Sequence, residues 1–267
     1  MAREARALMD LGLEGRTAVV TGASRGIGLA VVEALVGEGA RVVAAARSSS
    51  AELDQLAAAG SVRVLLVDLV EPSGPGRLVD FAGDIVDVLV NNVGSAPART
   101  AGFTAVSDED WAATLNLNLL PAVRTTRSAL PLMLAAGRGS IVNVCSVNSK
   151  LSDPAVIDYG AAKAALASFS LALAREVGPS GVRVNTVSPG PVATALWLGG
   201  DGVAATVSRA TGIKAEEVVD RAARESVTGR FTQPSEVADL VVLLSSDRTA
   251  NVTGADIRID GGLVPTW

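Results

Sequence analysis

The chain is 267 residues long, 49% of them apolar and 19% charged, with a formal net charge of −5 and no histidine. That length and composition fit one large α/β domain with a sizeable core and exclude a disordered chain. The missing imidazole excludes Ser-His-Asp and Cys-His triads, a histidine general base and His-ligated zinc. The single cysteine, Cys145, excludes an internal disulfide and any Cys-rich metal site.

Lys and Arg number 23 against 28 Asp and Glu, with no basic cluster, which argues against a nucleic-acid partner. Near the start, Glu4 separates Arg3 from Arg6 and no long apolar stretch follows, so neither a signal peptide nor a transit peptide is expected. No run approaches the roughly 18 uncharged apolar residues that span a bilayer. The expectation is a cytoplasmic protein with no membrane segment and no metal.

Residues 1–14 read as a short arm. Thr17–Val20 is then strand-like, Gly26–Glu38 helical and Arg41–Ala45 strand-like again. Residues 51–59 suit a short helix and Val62–Val67 a third strand. Val88–Val90 and Ile141–Val144 are further short strands, with long helical stretches over about 107–136 and 155–177. Val182–Val187 and Ile257–Ile259 complete the strands. Strands that read as continuous apolar runs belong to a parallel sheet covered on both faces. The β-α-β-α order predicts a single α/β domain over residues 15–267, a Rossmann-type doubly wound parallel sheet with helices on both faces. The stretch of about 191–230 breaks this rhythm. It is rich in Gly and small residues and is expected to form a substrate lid.

Between the first strand and the first helix lies Thr21-Gly22-Ala23-Ser24-Arg25-Gly26-Ile27-Gly28. Glycines at such a turn let a pyrophosphate approach backbone N–H groups, and the helix N-terminus that follows adds positive potential. The G-x-x-x-G-x-G spacing differs from the standard dinucleotide fingerprint and lacks the Gly-Lys-Ser/Thr ending of a P-loop. In its strand-turn-helix setting it predicts dinucleotide binding. The second strand ends Ala46-Arg47-Ser48, without the carboxylate that receives a ribose 2′-hydroxyl in NAD sites. Arg47, with Arg25, could instead pair with a 2′-phosphate, so NADP(H) is favoured over NAD(H).

The only tyrosine, Tyr159, precedes Lys163 by four residues, which places both on one helix face. A neighbouring ammonium favours the phenolate, and a phenol so tuned can exchange a proton with a carbonyl or alcohol oxygen. Without histidine, this is the most credible acid/base pair in the chain.

From about Leu13 to Gly262 the chain resembles the short-chain dehydrogenase/reductase family. The resemblance rests on Thr21–Gly28, Asp68-Leu69, Asn91-Asn92-Val93-Gly94, Asn118, Ser146, Tyr159 with Lys163, Pro189-Gly190 and Asp260-Gly261-Gly262, in that order and spacing. Val93 replaces the family's usual Ala. The form with Arg25 and Arg47 looks like the NADP-preferring branch, and the chain is similar to 3-oxoacyl-carrier-protein reductases. The resemblance implies that Tyr159 is the general acid in reduction and that Ser146 orients the substrate oxygen. It implies that Lys163 binds the nicotinamide ribose and tunes Tyr159, while Asn118 holds a water linking Lys163 to solvent. Asp68, with Leu69, is then expected at the adenine, Asn92 and Gly94 beside the adenosine and ribose, and Val192 and Thr194 at the carboxamide, just after Pro189 and Gly190.

A pocket lined by Ser146, Val147, Asn148, Leu151, Val156, Pro191, Leu196 and Trp197 would suit an apolar or aromatic ketone, the small-molecule carbonyl/alcohol partner. A fatty-acid role would call for a basic docking patch that the sequence does not clearly show. A nucleotide-binding regulator without turnover is the alternative, and the complete Asn-Ser-Tyr-Lys set argues against it. An epimerase or dehydratase would resemble longer relatives. The two long helices resemble the family's oligomer interface, and the alanines at 161, 162, 164, 165 and 167 would allow close helix approach. A homotetramer is expected first and a dimer second.

Overall fold

The computed structural model describes residues 10–265. One sheet holds seven strands: β1 (Thr17–Thr21), β2 (Arg41–Ala46), β3 (Val62–Leu66), β4 (Val88–Asn91), β5 (Gly139–Val144), β6 (Val182–Pro189) and β7 (Asp256–Ile259). All pairs are parallel, in the order β3-β2-β1-β4-β5-β6-β7. The helices are α1 (Gly26–Gly37), α2 (Ala51–Ala58), α3 (Gly74–Ala82), α4 (Asp108–Asn118) and α5 (Leu120–Ala136), then α6 (Ile157–Val177), α7 (Ala195–Leu198), α8 (Val203–Thr211), α9 (Ala215–Glu225) and α10 (Pro234–Ser245).

Alternate strand residues serve two cores. Val20, Val42, Val90 and Val142 pack with Val31 and Leu35 of α1 and Val237 and Val241 of α10. Val19, Val43, Leu89 and Ile141 pack on the other face with Leu78 of α3, Met133 of α5 and Leu173 of α6. Burial on both faces is why the strands read as unbroken apolar runs. The strand order reverses direction between β1 and β4, and in open α/β sheets the ligand crevice lies outside the strand ends at that point.

Each sequence-derived strand is present within two residues of its expected bounds. Helices α3 and α10 are additions to the sequence reading. The stretch 107–136 needs correction, because it is two helices rather than one. Leu119 leaves the helical region (φ −122°, ψ −57°), and Pro121, which has no N–H to continue the ladder, sits in the first turn of α5. The membrane expectation also needs qualification. Pro154–Ser180, which contains α6, is long and apolar enough to cross a bilayer, with 39% of its apolar window buried inside this chain. Leu166, Leu173 and Val177 of this helix are buried against the domain.

Part of the expected arm, residues 1–9, lies outside the described residues. Leu11 and Leu13 pack against the α1/α10 core, and the Leu11 carbonyl accepts from the Asp247 N–H at 3.3 Å. Residues 191–230 form α7, α8 and α9. Trp197 of α7 meets Phe231 edge-on at 5.3 Å, while α9 buries none of its residues fully.

Candidate active site

The turn after β1 is built from close approaches. Gly22 and Gly26 have φ of +65° and +57°, which glycine adopts without strain. A Cβ on Gly28 would lie 2.2 Å from the Gly22 carbonyl oxygen and 2.5 Å from Asn92 Nδ2. Asn92 Nδ2 donates to the carbonyls of Thr21 and Gly22, both at 3.1 Å, so this side chain holds the turn. Arg25 caps α1 without a side-chain hydrogen bond, and no acidic residue follows in the first turn. The first N–H groups of α1 are therefore left uncapped by side chains, with Ser24 and Ile27 half-buried beside them. Thr194, half-buried just before α7, brings its methyl within 3.2 Å of where a Cβ on Gly26 would be.

The Ala23 N–H donates to Ala45 at 3.1 Å, which sets the chain ends carrying Arg25 and Arg47 side by side. Both arginines are exposed, and neither joins an ion pair among the described residues. Asp68 is exposed at the end of β3 and accepts from the Val70 N–H at 2.9 Å, next to buried Leu69. An open glycine turn, uncapped donors and two unpaired guanidinium groups fit an anionic dinucleotide.

Ser146, Tyr159 and Lys163 are all buried where β5 ends and α6 begins. Ser146 Oγ accepts from the Asn148 N–H at 3.1 Å and donates to Asn148 Oδ1 at 3.3 Å. Lys163 Nζ donates to the Val144 carbonyl at 2.9 Å and stands 5.8 Å from the centroid of the Tyr159 ring. A Cβ on Gly94 would lie 2.8 Å from Asn118 Oδ1 and 3.3 Å from Lys163 Nζ, so the loop after β4 runs between those side chains. Asn118 Oδ1 accepts from the Ser95 N–H at 2.9 Å, and its Nδ2 donates to the carbonyls of Ser95 at 3.0 Å and Thr114 at 3.1 Å. In this arrangement Asn118 is a clamp on the loop.

The tyrosine's electrostatics differ from the sequence expectation. Burial pushes its phenol up to about 12, and the Ser146 hydroxyl offsets only part of that. Lys163 stands over the ring face and is itself pushed down by burial. The phenol is thus neutral and holds a proton ready to donate.

The remaining expected residues divide between site and scaffold. Pro189 is buried, and a Cβ on Gly190 would come within 3.0 Å of Asp260 Cα, so Gly190 serves the approach of β6 to the turn after β7. The Val192 carbonyl accepts from the Thr194 N–H at 2.7 Å, and Val192 bridges Thr232. Val147 and Val156 are buried, Pro191 is half-buried, and Leu151 and Leu196 are exposed. Trp197 is engaged with Phe231.

A family model described as enoyl-(acyl carrier protein) reductase matches residues 22–264. The 3-oxoacyl-[acyl-carrier-protein] reductase FabG of Vibrio harveyi is 35% identical over 259 residues, 95% of this chain and 99% of that protein. The crystal structure of L-sorbose reductase from Gluconobacter frateurii, complexed with NADPH and L-sorbose, superposes with a TM-score of 0.87. It is 32% identical and covers 97% of this chain and 100% of its own. A variant of actinorhodin polyketide ketoreductase with NADPH gives a TM-score of 0.86 at 34% identity, covering 93% and 97%. The chain belongs to the short-chain dehydrogenase/reductase family. As a member of that family it is a hydride-transferring oxidoreductase.

Sequence reasoning about this reductase missed the polar group behind Tyr159. Asp158, Arg99, Asp110 and Thr114 meet there from three segments. Only the acidic residue next to the tyrosine hinted at it.

Because Tyr159 is the only tyrosine, phenolate absorbance reports it alone. We expect the cofactor-free reductase to titrate near pH 12, against 10 for an unfolded chain. The raised folded value keeps the phenol protonated while the unfolded chain ionises, so stability falls as pH rises from about 10 towards 12. A folded-state midpoint at or below 10 would refute the burial account.

Proposed function

We propose that this reductase uses NADP(H) to interconvert an apolar or aromatic ketone and its secondary alcohol, with Tyr159 as the proton donor in reduction. The observation that carries the reading is the convergence of Ser146, neutral Tyr159 and Lys163 at the end of β5, across the switch point from the glycine turn. The nicotinamide supplies the hydride when bound. Tyr159 then passes its proton to the substrate oxygen as the carbonyl carbon is reduced. The Ser146 hydroxyl orients that oxygen and stabilises charge developing on it. Lys163 serves the nicotinamide ribose, and Asn118 keeps Gly94 against Lys163. Gly22, Ser24, Gly26, Ile27 and Gly28 form the pyrophosphate cradle, with Asp68 and Leu69 at the adenine and Thr194 and Val192 near the carboxamide.

NADP(H) is supported by Arg25 and Arg47, exposed and without an ion-pair partner among the described residues, and by the NADPH in the two solved relatives. Residues 15–267 act as one catalytic domain, with 191–230 as its lid, carrying Leu196, over Val147, Leu151 and Val156. An apolar ketone is favoured over a carrier-protein thioester because the chain is acidic and has no basic cluster to dock one. The protein works in the cytoplasm. Its apolar α6, partly buried within one chain and exposing Ala161, Leu171 and Ala172, supports a homotetramer first and a dimer second.

NADPH oxidation against a panel of ketones, aldehydes, diketones, quinones and β-keto thioesters tests the activity. We expect turnover with apolar ketones, and loss of about 10²-fold or more in kcat for Tyr159→Phe with NADPH binding retained. Undiminished turnover in that variant would remove Tyr159 from its role. Arg47→Ala should lower kcat/KM for NADPH roughly 10- to 100-fold relative to NADH, the worth of one charged hydrogen bond. An unchanged ratio would count against Arg47 as the phosphate ligand. Sedimentation at micromolar protein should give a tetramer, and a monomer would refute the proposed assembly.

A further inference from the structure

Directly before Tyr159, in the first turn of α6, the carboxylate of Asp158 is 0% exposed. Arg99, on the loop after β4, donates to Asp158 Oδ2 through Nε at 3.1 Å and also through a terminal nitrogen. The Thr114 hydroxyl of α4 donates to the same oxygen at 2.6 Å. Arg99 donates its other terminal nitrogen to Asp110 Oδ1 at 2.9 Å, and its main-chain N–H to the Ala155 carbonyl at 2.6 Å. One guanidinium therefore ties the β4 loop, the start of α4 and the start of α6 together. Burial pushes the Asp158 carboxyl up, but Arg99, Thr114 and the Tyr159 amide outweigh it, leaving the group below its ordinary value and ionised.

A buried ion pair is weak evidence for stability, since well-packed apolar residues of similar volume often serve as well. Such a pair does fix geometry, because two nitrogens of one planar guanidinium and the Thr114 hydroxyl converge on the single oxygen Oδ2, while Oδ1 has no partner among the described residues. Its location then matters. The same loop is clamped four residues upstream, where Asn118 holds both main-chain groups of Ser95. The chain thus runs from Gly94, which faces Lys163, through the clamped Ser95 to Arg99, which grips the residue before Tyr159.

We propose that Arg99 and Asp158 are positioning residues for the reaction, holding the first turn of α6 against the β4 loop so that the Tyr159 hydroxyl faces Ser146 and the substrate oxygen. The proposal rests on the reading of Tyr159 as proton donor. Neither residue touches the reacting atoms. Their effect passes through the placement of Tyr159.

The test compares Arg99→Met, Arg99→Lys and Asp158→Asn with Tyr159→Phe in the full-length protein. Four quantities are measured: thermal midpoint, NADPH affinity by fluorescence, kcat and KM on the best ketone, and the phenolate titration. Misplacement on the ångström scale costs about 10²-fold in rate. Arg99→Met is therefore expected to lose about that much in kcat while NADPH affinity stays within about twofold. Its phenolate midpoint should fall from about 12 towards 10 as water reaches the first turn of α6. Arg99→Lys keeps the charge without the fork and should recover part of both. If Arg99→Met does not fold, Asp158→Asn, which keeps the shape and one acceptor, is judged by the same measurements.

Unchanged kcat and phenolate midpoint in a folded variant would overturn the proposal. So would NADPH affinity falling in step with kcat, which would mark a general loss of structure. Turnover surviving in Tyr159→Phe would instead overturn the proton-donor reading, so the two failures are distinguishable.

Discussion

All seven strands run the same way, and that constraint organises the rest of the molecule. A parallel strand can be followed only by a crossover that returns the chain to the same starting edge. Every strand therefore ends on one rim, and every loop with a candidate site residue leaves from that rim. The glycine turn after β1, Arg47 after β2, Asp68 after β3, Gly94 after β4 and Ser146 after β5 lie far apart in sequence. They are neighbours because their strands are hydrogen-bonded in register. The strand order reverses between β1 and β4, in the middle of that rim, the point where open α/β sheets take their ligands.

Polar side chains buried or half-buried at the rim are held by main-chain partners. Lys163 is anchored on the Val144 carbonyl, Asn118 on Ser95 and Asn92 on the glycine turn. Such bonds satisfy the buried donors, and they also stop the side chains from relaxing when a ligand arrives. The break at Leu119 belongs to the same design. It ends α4 with Asn118 under the β4 loop, and α5 then turns to bring Met133 onto the sheet.

The strands were legible because burial on both faces leaves unbroken runs such as Thr17-Ala18-Val19-Val20, which no amphipathic helix produces. The glycine turn and the Tyr159/Lys163 pair were legible because local spacing defines them. Helix α3 was not, since Gly74, Pro75 and Gly76 open it with residues that usually mark loops. The break near Pro121 was missed because the apolar pattern continues across it. Two features of the site lie beyond local pattern. Arg99 and Asp158 are 59 residues apart and meet only through the fold. The sequence displays the ammonium near Tyr159 but not the burial that pushes its phenol up.

One amide also joins the glycine turn to the loop after β4. Asn92 leaves the end of β4 and grips the carbonyls of Thr21 and Gly22, while two residues later its own chain becomes the strip lying against Lys163. The spacing between the glycine turn and the loop after β4 is thereby set by the chain's own hydrogen bonds. A long, flexible molecule lying along these loops would meet a span already fixed, so the ordering cost of binding would fall mainly on the ligand.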